Sequence, residues 1–150
     1  MAIEFQPGAL FRIQVGEDLG YGMMLSDFPY MAFYGKDVEF GEPDDALREP
    51  LFVVMVIKGA FSTGRWGKPI RLLPKSAIPR IPLFFTQSVT SKRDCTIVDH
   101  EARRKVKATP QECIGLEREA VWSPEHVESR LEDYYADRPN IFAESLKPKL

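Results

Sequence analysis

The sequence is poor in the residues that build catalytic and metal centres, with two cysteines and two histidines among 150 residues. Cys95 and Cys113 lack the close spacing of a zinc site and are too few for a disulfide scaffold. No second histidine follows His100 at the spacing that a zinc-protease helix needs, and His126 stands alone. We therefore expect no metal, no cofactor and no catalytic residue, and a protein that acts by binding.

Long apolar runs are also absent. The longest, Leu51–Ile57, is far shorter than the ~18 residues that a membrane span needs. The segment Met1–Gln6 has neither the basic start nor the apolar stretch of a secretion signal. A hydrophobic content of 44% fits a folded chain. We expect a soluble cytoplasmic protein with one domain over residues 1–150 and a C-terminal tail at 137–150.

Two short stretches resemble catalytic or nucleotide-binding motifs and fail. The segment 59–66 has the two glycines of a phosphate loop, but Arg65 and Trp66 stand where the lysine and the hydroxyl are required. Cys95 lies five residues before His100, yet no nucleophile signature surrounds it. Because free cysteine is among the most buried residue types, we interpret Cys95 as an ordinary core thiol.

Charge is distributed unevenly along the chain, although the formal net charge is only −2. Residues 1–57 carry a net charge of −7, residues 58–107 of +9 and residues 108–150 of −4. No acidic residue occurs between Lys58 and Arg93. Such asymmetry concerns partners more than fold, because concentrated charge of one sign attracts molecules of the other sign.

Hydrophobic periodicity predicts a mainly β protein. Apolar residues alternate with polar ones over Ala9–Val15, which is typical of a half-buried strand, and the continuous run Leu51–Ile57 predicts a strand that is covered on both faces. We predict further strands at 21–25, 30–34, 60–66, 83–86, 95–98 and 103–107, of which 60–66 is the hairpin partner of the buried strand and 103–107 an edge.

The C-terminal third contains the helical signals. Thr109 and Glu112 form a capping-box pattern, and Ser123-Pro124 opens the clearest helix, predicted over 124–135. Its apolar stripe consists of Val127, Leu131, Tyr134 and Tyr135. The predicted fold class is therefore α+β, predominantly β: a twisted antiparallel sheet or partial barrel with the amphipathic helix packed across it.

The order of several short segments matches a known family. Pro7–Ile13 opens the chain, Tyr21-Gly22 follows the first predicted hairpin, and the apolar strand leads to Trp66. The most specific segment is Leu116-Glu-Arg-Glu-Ala-Val-Trp-Ser-Pro-Glu-His-Val-Glu-Ser-Arg-Leu131. This arrangement resembles the immunity protein 26 family of bacterial polymorphic toxin systems.

The resemblance, which covers residues 5–135, implies a cytoplasmic immunity protein that is encoded beside a toxin gene. Such a toxin inhibitor binds its cognate toxin domain and protects the producing cell during bacterial competition. The resemblance implies no catalytic residue. We expect Trp122, His126, Arg130 and Leu131 to be recognisable because they hold the helix against the sheet, since a matched apolar stripe is usually core.

The partner-binding surface predicted from the sequence is the acidic connection 35–50. Connections of this length without regular structure are uncommon in compact domains and are often functional. Because complementary charge raises association rates, the predicted partner-binding residues are Asp37, Glu39, Glu42, Asp44 and Asp45. The basic stretch Lys58–Arg93 is the second candidate, and it would face an acidic toxin.

A small β-rich nucleic-acid-binding module is the rival hypothesis, because residues 58–107 are strongly basic. In that module Trp66, Phe84 and Phe85 would stack on bases. The acidic flanks argue against it, since they weaken the attraction to phosphates unless folding separates the charges. An enzyme of unknown type is a third and weaker alternative.

Overall fold

The computed structural model describes residues 2–36 and 49–150. Within them the chain is α+β and mostly strand, as predicted. Its strands are β1 (Ala9–Val15), β2 (Asp18–Met24), β3 (Tyr30–Tyr34), β4 (Phe52–Val56), β5 (Arg71–Leu72), β6 (Phe84–Gln87), β7 (Cys95–Asp99), β8 (Arg104–Ala108), β9 (Glu117–Arg118) and β10 (Val121–Trp122). Its α-helices are α1 (Gly59–Ser62), α2 (Pro124–Tyr135) and α3 (Ile141–Ser145).

The described strands form two twisted sheets. The large sheet has the order β10-β4-β3-β2-β1-β5, and the small sheet has the order β8-β7-β6-β9. Neighbouring strands are antiparallel except that β10 runs parallel to β4 and β9 runs parallel to β6. The predicted antiparallel sheet is therefore divided into two mixed sheets, and these strands do not close into a barrel.

The large sheet is buried on both faces. On one face Phe11, Ile13 and Val54 pack in the same cluster as Val127 and Leu131 of α2. The connection between β5 and β6 covers the opposite face with the buried side chains of Leu73, Ala77 and Ile81, next to Phe84 of β6. Burial on both faces explains why β4 lies in a continuous apolar run without alternation.

The segment after β4 is a helical turn, α1, and the predicted returning strand over 60–66 is wrong. Ala60 and Phe61 are adjacent, and both are fully buried in the same core cluster. A strand would send adjacent side chains to opposite faces, so the helical turn is what lets both reach one core. Trp66 follows, and its buried indole donates a hydrogen bond to Glu128 of α2 at 2.9 Å.

Two local signals in the C-terminal third are confirmed. The Glu112 amide donates to the Thr109 hydroxyl at 3.3 Å, and the Thr109 amide donates to the Glu112 carboxylate at 2.9 Å, which is a reciprocal capping box. The His126 amide donates to the Ser123 hydroxyl at 3.3 Å and so caps α2, whose first residue is Pro124. The helix begins and ends at the predicted residues.

The helix α2 packs across the large sheet, as predicted. Val127 and Leu131 are fully buried. The Tyr135 hydroxyl donates to the Leu19 carbonyl in β2 at 2.8 Å, whereas Tyr134 is 58% exposed. Of the two tyrosines in the predicted stripe, Tyr135 is therefore the one that joins helix and sheet.

Residues 137–150, predicted as a tail, contain α3 and return to the body of the protein. Apolar residues of α3 and its end pack against the main core. The Arg118 guanidinium donates to the Leu146 carbonyl at 2.9 Å, and the Gln87 side chain donates to the Lys149 carbonyl at 2.7 Å. These contacts join distant parts of the sequence, so no local pattern could have predicted them.

Candidate partner-binding surface

The acidic residues that the sequence predicts to bind a partner lie outside the described residues. They belong to the connection between β3 and β4, and they are Asp37, Glu39, Glu42, Asp44 and Asp45. Their contact with a partner stays a prediction.

The second predicted surface, the basic stretch Lys58–Arg93, is not one continuous face. Arg65 forms an ion pair with Glu128 of α2 at 2.7 Å, next to the large sheet. Arg80 forms an ion pair with Glu101 at 2.7 Å, just beyond the end of β7 in the small sheet. Folding thus separates these cations and partly neutralises them within the chain.

Four cations without an ion pair among the described residues lie close together on β8 and at the residue before it, at the edge of the small sheet. Arg103, Arg104, Lys105 and Lys107 are exposed, and Val106 between them is 52% exposed. Throughout the described ranges 2–36 and 49–150, these four basic side chains form no ion pair or hydrogen bond. We call residues 103–107 the cationic edge. The predicted edge strand at 103–107 is confirmed with a shift of one residue, because β8 covers Arg104–Ala108 and is the last strand in the order of the small sheet.

The alternation of β8 divides the cationic edge between the two faces of the small sheet. Lys105 and Lys107 project from one face, and Arg104 and Val106 project from the other. Asp99 stands opposite Arg104 across the β7–β8 pair, but its carboxylate accepts a backbone amide in the turn at 3.0 Å. A molecule at the edge therefore meets positive charge from either face.

A cavity of about 750 Å³ adjoins the cationic edge at the turn between β7 and β8. His100 stands in it, with Nδ1 3.4 Å from the Tyr30 hydroxyl and Nε2 3.7 Å from the Asp27 carboxylate. Burial raises the pKa of Tyr30, and the nearby carboxylates of Glu119 and Asp27 add to the effect, so the hydroxyl remains protonated. The cavity therefore combines polar groups with basic residues that belong to the cationic edge.

The turn that carries the cationic edge is held by Glu101. Its carboxylate accepts the Ile81 amide at 3.0 Å and the Arg80 guanidinium at 2.7 Å. The bond from the Ile81 amide, followed by the bond from Arg80, lowers the pKa of Glu101, which keeps the carboxylate ionised. The β7–β8 hairpin is thereby fixed to the connection that covers the large sheet.

The two cysteines lie together in the core of the small sheet. Cys95 and Cys113 are 1% and 0% exposed and share a cluster with Phe85. Burial raises the pKa of Cys113, and the neighbouring Cys95 raises it further. His100 lies beyond the opposite end of β7, and a strand rises about 3.3 Å per residue. The structure therefore does not bring the Cys95 thiol and the His100 imidazole together as a nucleophile and its base.

The residues of the most specific sequence segment hold α2 against the sheets. The Arg130 guanidinium donates two hydrogen bonds to Glu117, at 2.9 and 2.7 Å, and lies 4.0 Å over the Phe52 ring and 5.2 Å over the Trp122 ring. His126 stacks on Phe142 of α3 with ring centroids 3.7 Å apart. Trp122 and Leu131 are buried. The predicted role of holding the helix against the sheet is therefore confirmed for Trp122, Arg130 and Leu131, whereas the stacking contact of His126 is with α3.

The aromatic residues proposed to stack on bases do not face solvent. Trp66, Phe84 and Phe85 are 6%, 1% and 0% exposed, because they fill the cores of the two sheets. Stacking on a nucleic acid needs an accessible ring. This part of the nucleic-acid hypothesis is therefore wrong.

No group of three metal-binding side chains occurs among the described residues, and no helix in the same ranges is long and apolar enough to cross a membrane.

Comparison with protein-family models, with curated proteins and with solved structures found no match for the chain. The geometry and charge of the described surface therefore carry the functional argument.

The sequence indicates the cationic edge only as part of the basic segment 58–107 of the nucleic-acid hypothesis. The signal was present, because four basic residues occur within 103–107 and a polar turn precedes them. The sequence does not show which cations of the basic middle find acidic partners after folding. Arg65 and Arg80 do, and the cations of β8 do not.

Proposed function

We propose that the protein is a cytoplasmic immunity protein of a bacterial polymorphic toxin system, which binds its cognate toxin domain and neutralises it by stoichiometric inhibition. The observation that carries the proposal is the cationic edge, an exposed strand whose basic side chains have no partner in the described part of the chain. The resemblance of Leu116–Leu131 to the immunity protein 26 family supplies the class of partner. No catalytic step is part of the proposal.

Neutralising a toxin demands fast and tight binding. Complexes of nuclease toxins with their immunity proteins belong to the tightest known class, with Kd of about 10⁻¹³–10⁻¹⁶ M. Complementary charge raises association rates from about 10⁵–10⁶ toward 10⁸–10⁹ M⁻¹s⁻¹. The unpaired cations of residues 103–107 favour an acidic surface on the toxin, and the Glu101 contacts fix the hairpin so that little order has to be imposed on binding.

A protein partner fits this surface better than a nucleic acid. The four cations lie within one short strand and the residue before it, whereas a nucleic acid presents phosphates along its whole backbone. The rings that would bind bases are buried. A strand edge also offers backbone hydrogen bonds to another polypeptide.

The first experiment is co-expression with the toxin domain encoded by the adjacent gene. We expect growth to be restored, and the two chains to co-purify in a one-to-one complex whose mass is measured by light scattering. An unrelated toxin is the control, and we expect little protection against it, because specificity is a difference of affinities. Protection at strongly substoichiometric levels would instead indicate an enzyme, and absence of both rescue and complex would contradict the proposal.

The second experiment locates the surface. Replacing Arg104 and Lys107 together by Glu should slow association at least about tenfold and weaken its dependence on salt. The matched control is Lys58→Glu with Lys68→Glu, which makes the same change in net charge at two other exposed lysines. If instead only reversal of Asp44 and Asp45 slows association, the acidic connection is the interface and the cationic edge is not.

A further inference from the structure

The hydrogen bonds of the small sheet determine which backbone groups of β8 are unpaired. In a strand flanked by two others, the N–H and C=O of one residue point to one neighbour, and those of the next residue point to the other. The Ser88 amide donates to the Asp94 carbonyl at 2.9 Å, which makes these two residues a hydrogen-bonded pair. Hydrogen-bonded pairs recur at every second residue of an antiparallel ladder, so the next two pairs are 86 with 96 and 84 with 98. Residues 96 and 98 of β7 therefore direct their backbone groups to β6.

A second hydrogen bond gives the same pattern. The Glu119 amide donates to the Phe85 carbonyl at 2.8 Å, so Phe85 directs its backbone groups toward β9 and away from β7. Its neighbours Phe84 and Thr86 must then be the residues of β6 that bond to β7, and they stand opposite residues 98 and 96. The two observations are independent and agree.

The pattern extends to β8. Ile97 directs its backbone groups to β8, where Val106 is its opposite residue, so Val106 is bonded to β7. Lys105 and Lys107 therefore point their N–H and C=O groups outward. Beyond β8, no further strand follows in the sheet order of the described residues. Among the residues that the structure describes, Lys105 and Lys107 thus combine outward-facing backbone groups with positive charges that have no partner.

We propose that β8 binds an extended acidic segment of the partner protein as an additional strand of the small sheet. The inference rests on the proposed function for the identity of the partner and on β8 for the mode of binding. The backbone groups of Lys105 and Lys107 bind the segment's backbone, and the basic side chains bind its carboxylates. In this mode of recognition the main chain supplies affinity and alternate side chains supply specificity.

The alternation of β8 predicts the order of residues in the segment. Residues opposite one another across two strands share a face. Acidic residues belong opposite Lys105 and Lys107, and an apolar residue belongs opposite Val106. A further acidic residue belongs opposite Arg104. Along β8 from Arg104 to Lys107, the opposite residues are therefore acidic, acidic, apolar and acidic. An antiparallel segment, read from its own N-terminus, has the reverse order: acidic, apolar, acidic, acidic.

Charge argues against a second copy of the chain at this edge. Two antiparallel β8 strands would bring basic residues to face basic residues, and like charges opposite one another destabilise a pair. Charged edge strands are also how proteins prevent self-association. The same charge that repels another copy selects an acidic strand.

The direct test uses two short synthetic peptides and the intact protein. One peptide carries the predicted pattern at its centre, and the other has the same composition with its acidic residues contiguous. We expect the patterned peptide to bind at least about tenfold more tightly, and more weakly as salt is raised. On binding, the amides of Lys105 and Lys107 should become protected from hydrogen exchange, whereas the amide of Val106 is protected already in the free protein.

A pair of variants separates backbone binding from charge. Lys107→Ala removes the charge and keeps the N–H, whereas Lys107→Pro removes both, at a position where the ladder with β7 is not interrupted. We expect Lys107→Pro to bind the patterned peptide about tenfold more weakly than Lys107→Ala, as loss of a hydrogen bond predicts. If the proline variant does not fold, amide exchange in the unmodified protein still shows whether the peptide binds to the backbone of β8.

The outcomes separate this inference from the proposed function. If a toxin complex forms but Lys107→Ala and Lys107→Pro bind the toxin equally, and no protection appears at Lys105 and Lys107, strand addition is overturned and the immunity function stands. If no toxin complex forms while the patterned peptide binds with the predicted protection, the immunity function fails and the mode of binding stands. Binding of a short single-stranded oligonucleotide in place of either peptide would overturn the inference in favour of a nucleic acid.

Discussion

Two regions of the molecule are rich in charged side chains, but within the described ranges these side chains form ion pairs in one region and have no partner in the other. Around α2 the charged side chains bind one another: Arg65 with Glu128, and Arg130 with Glu117. On the cationic edge, the basic side chains of β8 bind nothing in the described part of the protein. Charge near α2 therefore builds the fold, and charge on β8 remains available to another molecule. The comparison teaches that the number of charges in a segment says little until their partners are known.

The sharpest way to break this comparison is to place a new charge in each region. Leu131→Asp introduces a carboxylate at a position that is 0% exposed, and it removes core packing under α2. We expect a loss of at least about 4 kcal/mol in the free energy of unfolding, measured by urea denaturation. Val106→Asp, at 52% exposure on β8, is the control and should cost less than about 1 kcal/mol. A melting temperature of the Leu131 variant within about one degree of the parent would contradict the placement of α2.

Removing a cation should also separate the two regions. Arg130→Met keeps much of the side-chain volume but leaves Glu117 without its guanidinium, in a pair whose side chains are 16% and 29% exposed. We expect a loss of about 2–3 kcal/mol, less than for a fully buried pair because water still reaches it. Arg104→Met on the cationic edge should change stability by less than about 0.5 kcal/mol. Equal effects of the two substitutions, in the same denaturation experiment, would show that the charges near α2 do not hold the helix.

Acid should weaken the α2 region through Glu128. Burial raises the pKa of Glu128, but hydrogen bonds from Arg65 and Trp66 outweigh it, so that the pKa lies below the ordinary 4.5. As pH falls below 4.5, the unfolded chain takes up the proton first, and stability falls until the folded carboxylate is also protonated. We expect Glu128→Gln to lower stability at pH 7 and to flatten its decline below pH 4.5.

The control for this pH effect is Glu125→Gln. Glu125 binds the same Arg65 at 3.2 Å but is 62% exposed. We expect its acid decline to stay close to that of the parent, because exposed pairs contribute little. An acid decline that is unchanged in the Glu128 variant, measured by denaturation from pH 7 to 3, would argue against this assignment.

The smallest effects concern two residues with left-handed backbone, one in each region. Arg103 begins the cationic edge with φ +53°, and Asp137 follows α2 with φ +54°. Glycine adopts such angles without strain, so Arg103→Gly and Asp137→Gly should each change the free energy of unfolding by less than about 1 kcal/mol. We expect a gain in stability at Arg103. Arg103→Gly should in addition weaken binding to the partner, whereas Asp137→Gly should not. Denaturation measures the change in stability, and binding kinetics measure the change in affinity. An equal loss of binding in the two variants would contradict the assignment of the cationic edge as the binding surface.

The functional surface was less accessible to prediction than the fold. The sequence indicates a basic middle segment, but Arg65 and Arg80 find acidic partners from distant parts of the chain. Which cations remain free depends on contacts between residues far apart in sequence. The predicted acidic residues 37–45 lie outside the described residues, so their role stays a prediction.

The sequence by itself determined the elements whose signals are local. The alternation of β1, the capping box of Thr109 and Glu112, and the start of α2 at Ser123 all arise from neighbouring residues, whose periodicity and hydrogen bonds suffice to specify them. Only the tertiary structure decided that the strands divide into two sheets, that the segment after β4 turns helically, and that β8 is left with an outward row of backbone groups. These features depend on which distant segments pair and which apolar side chains share a core, and no local pattern contains that information.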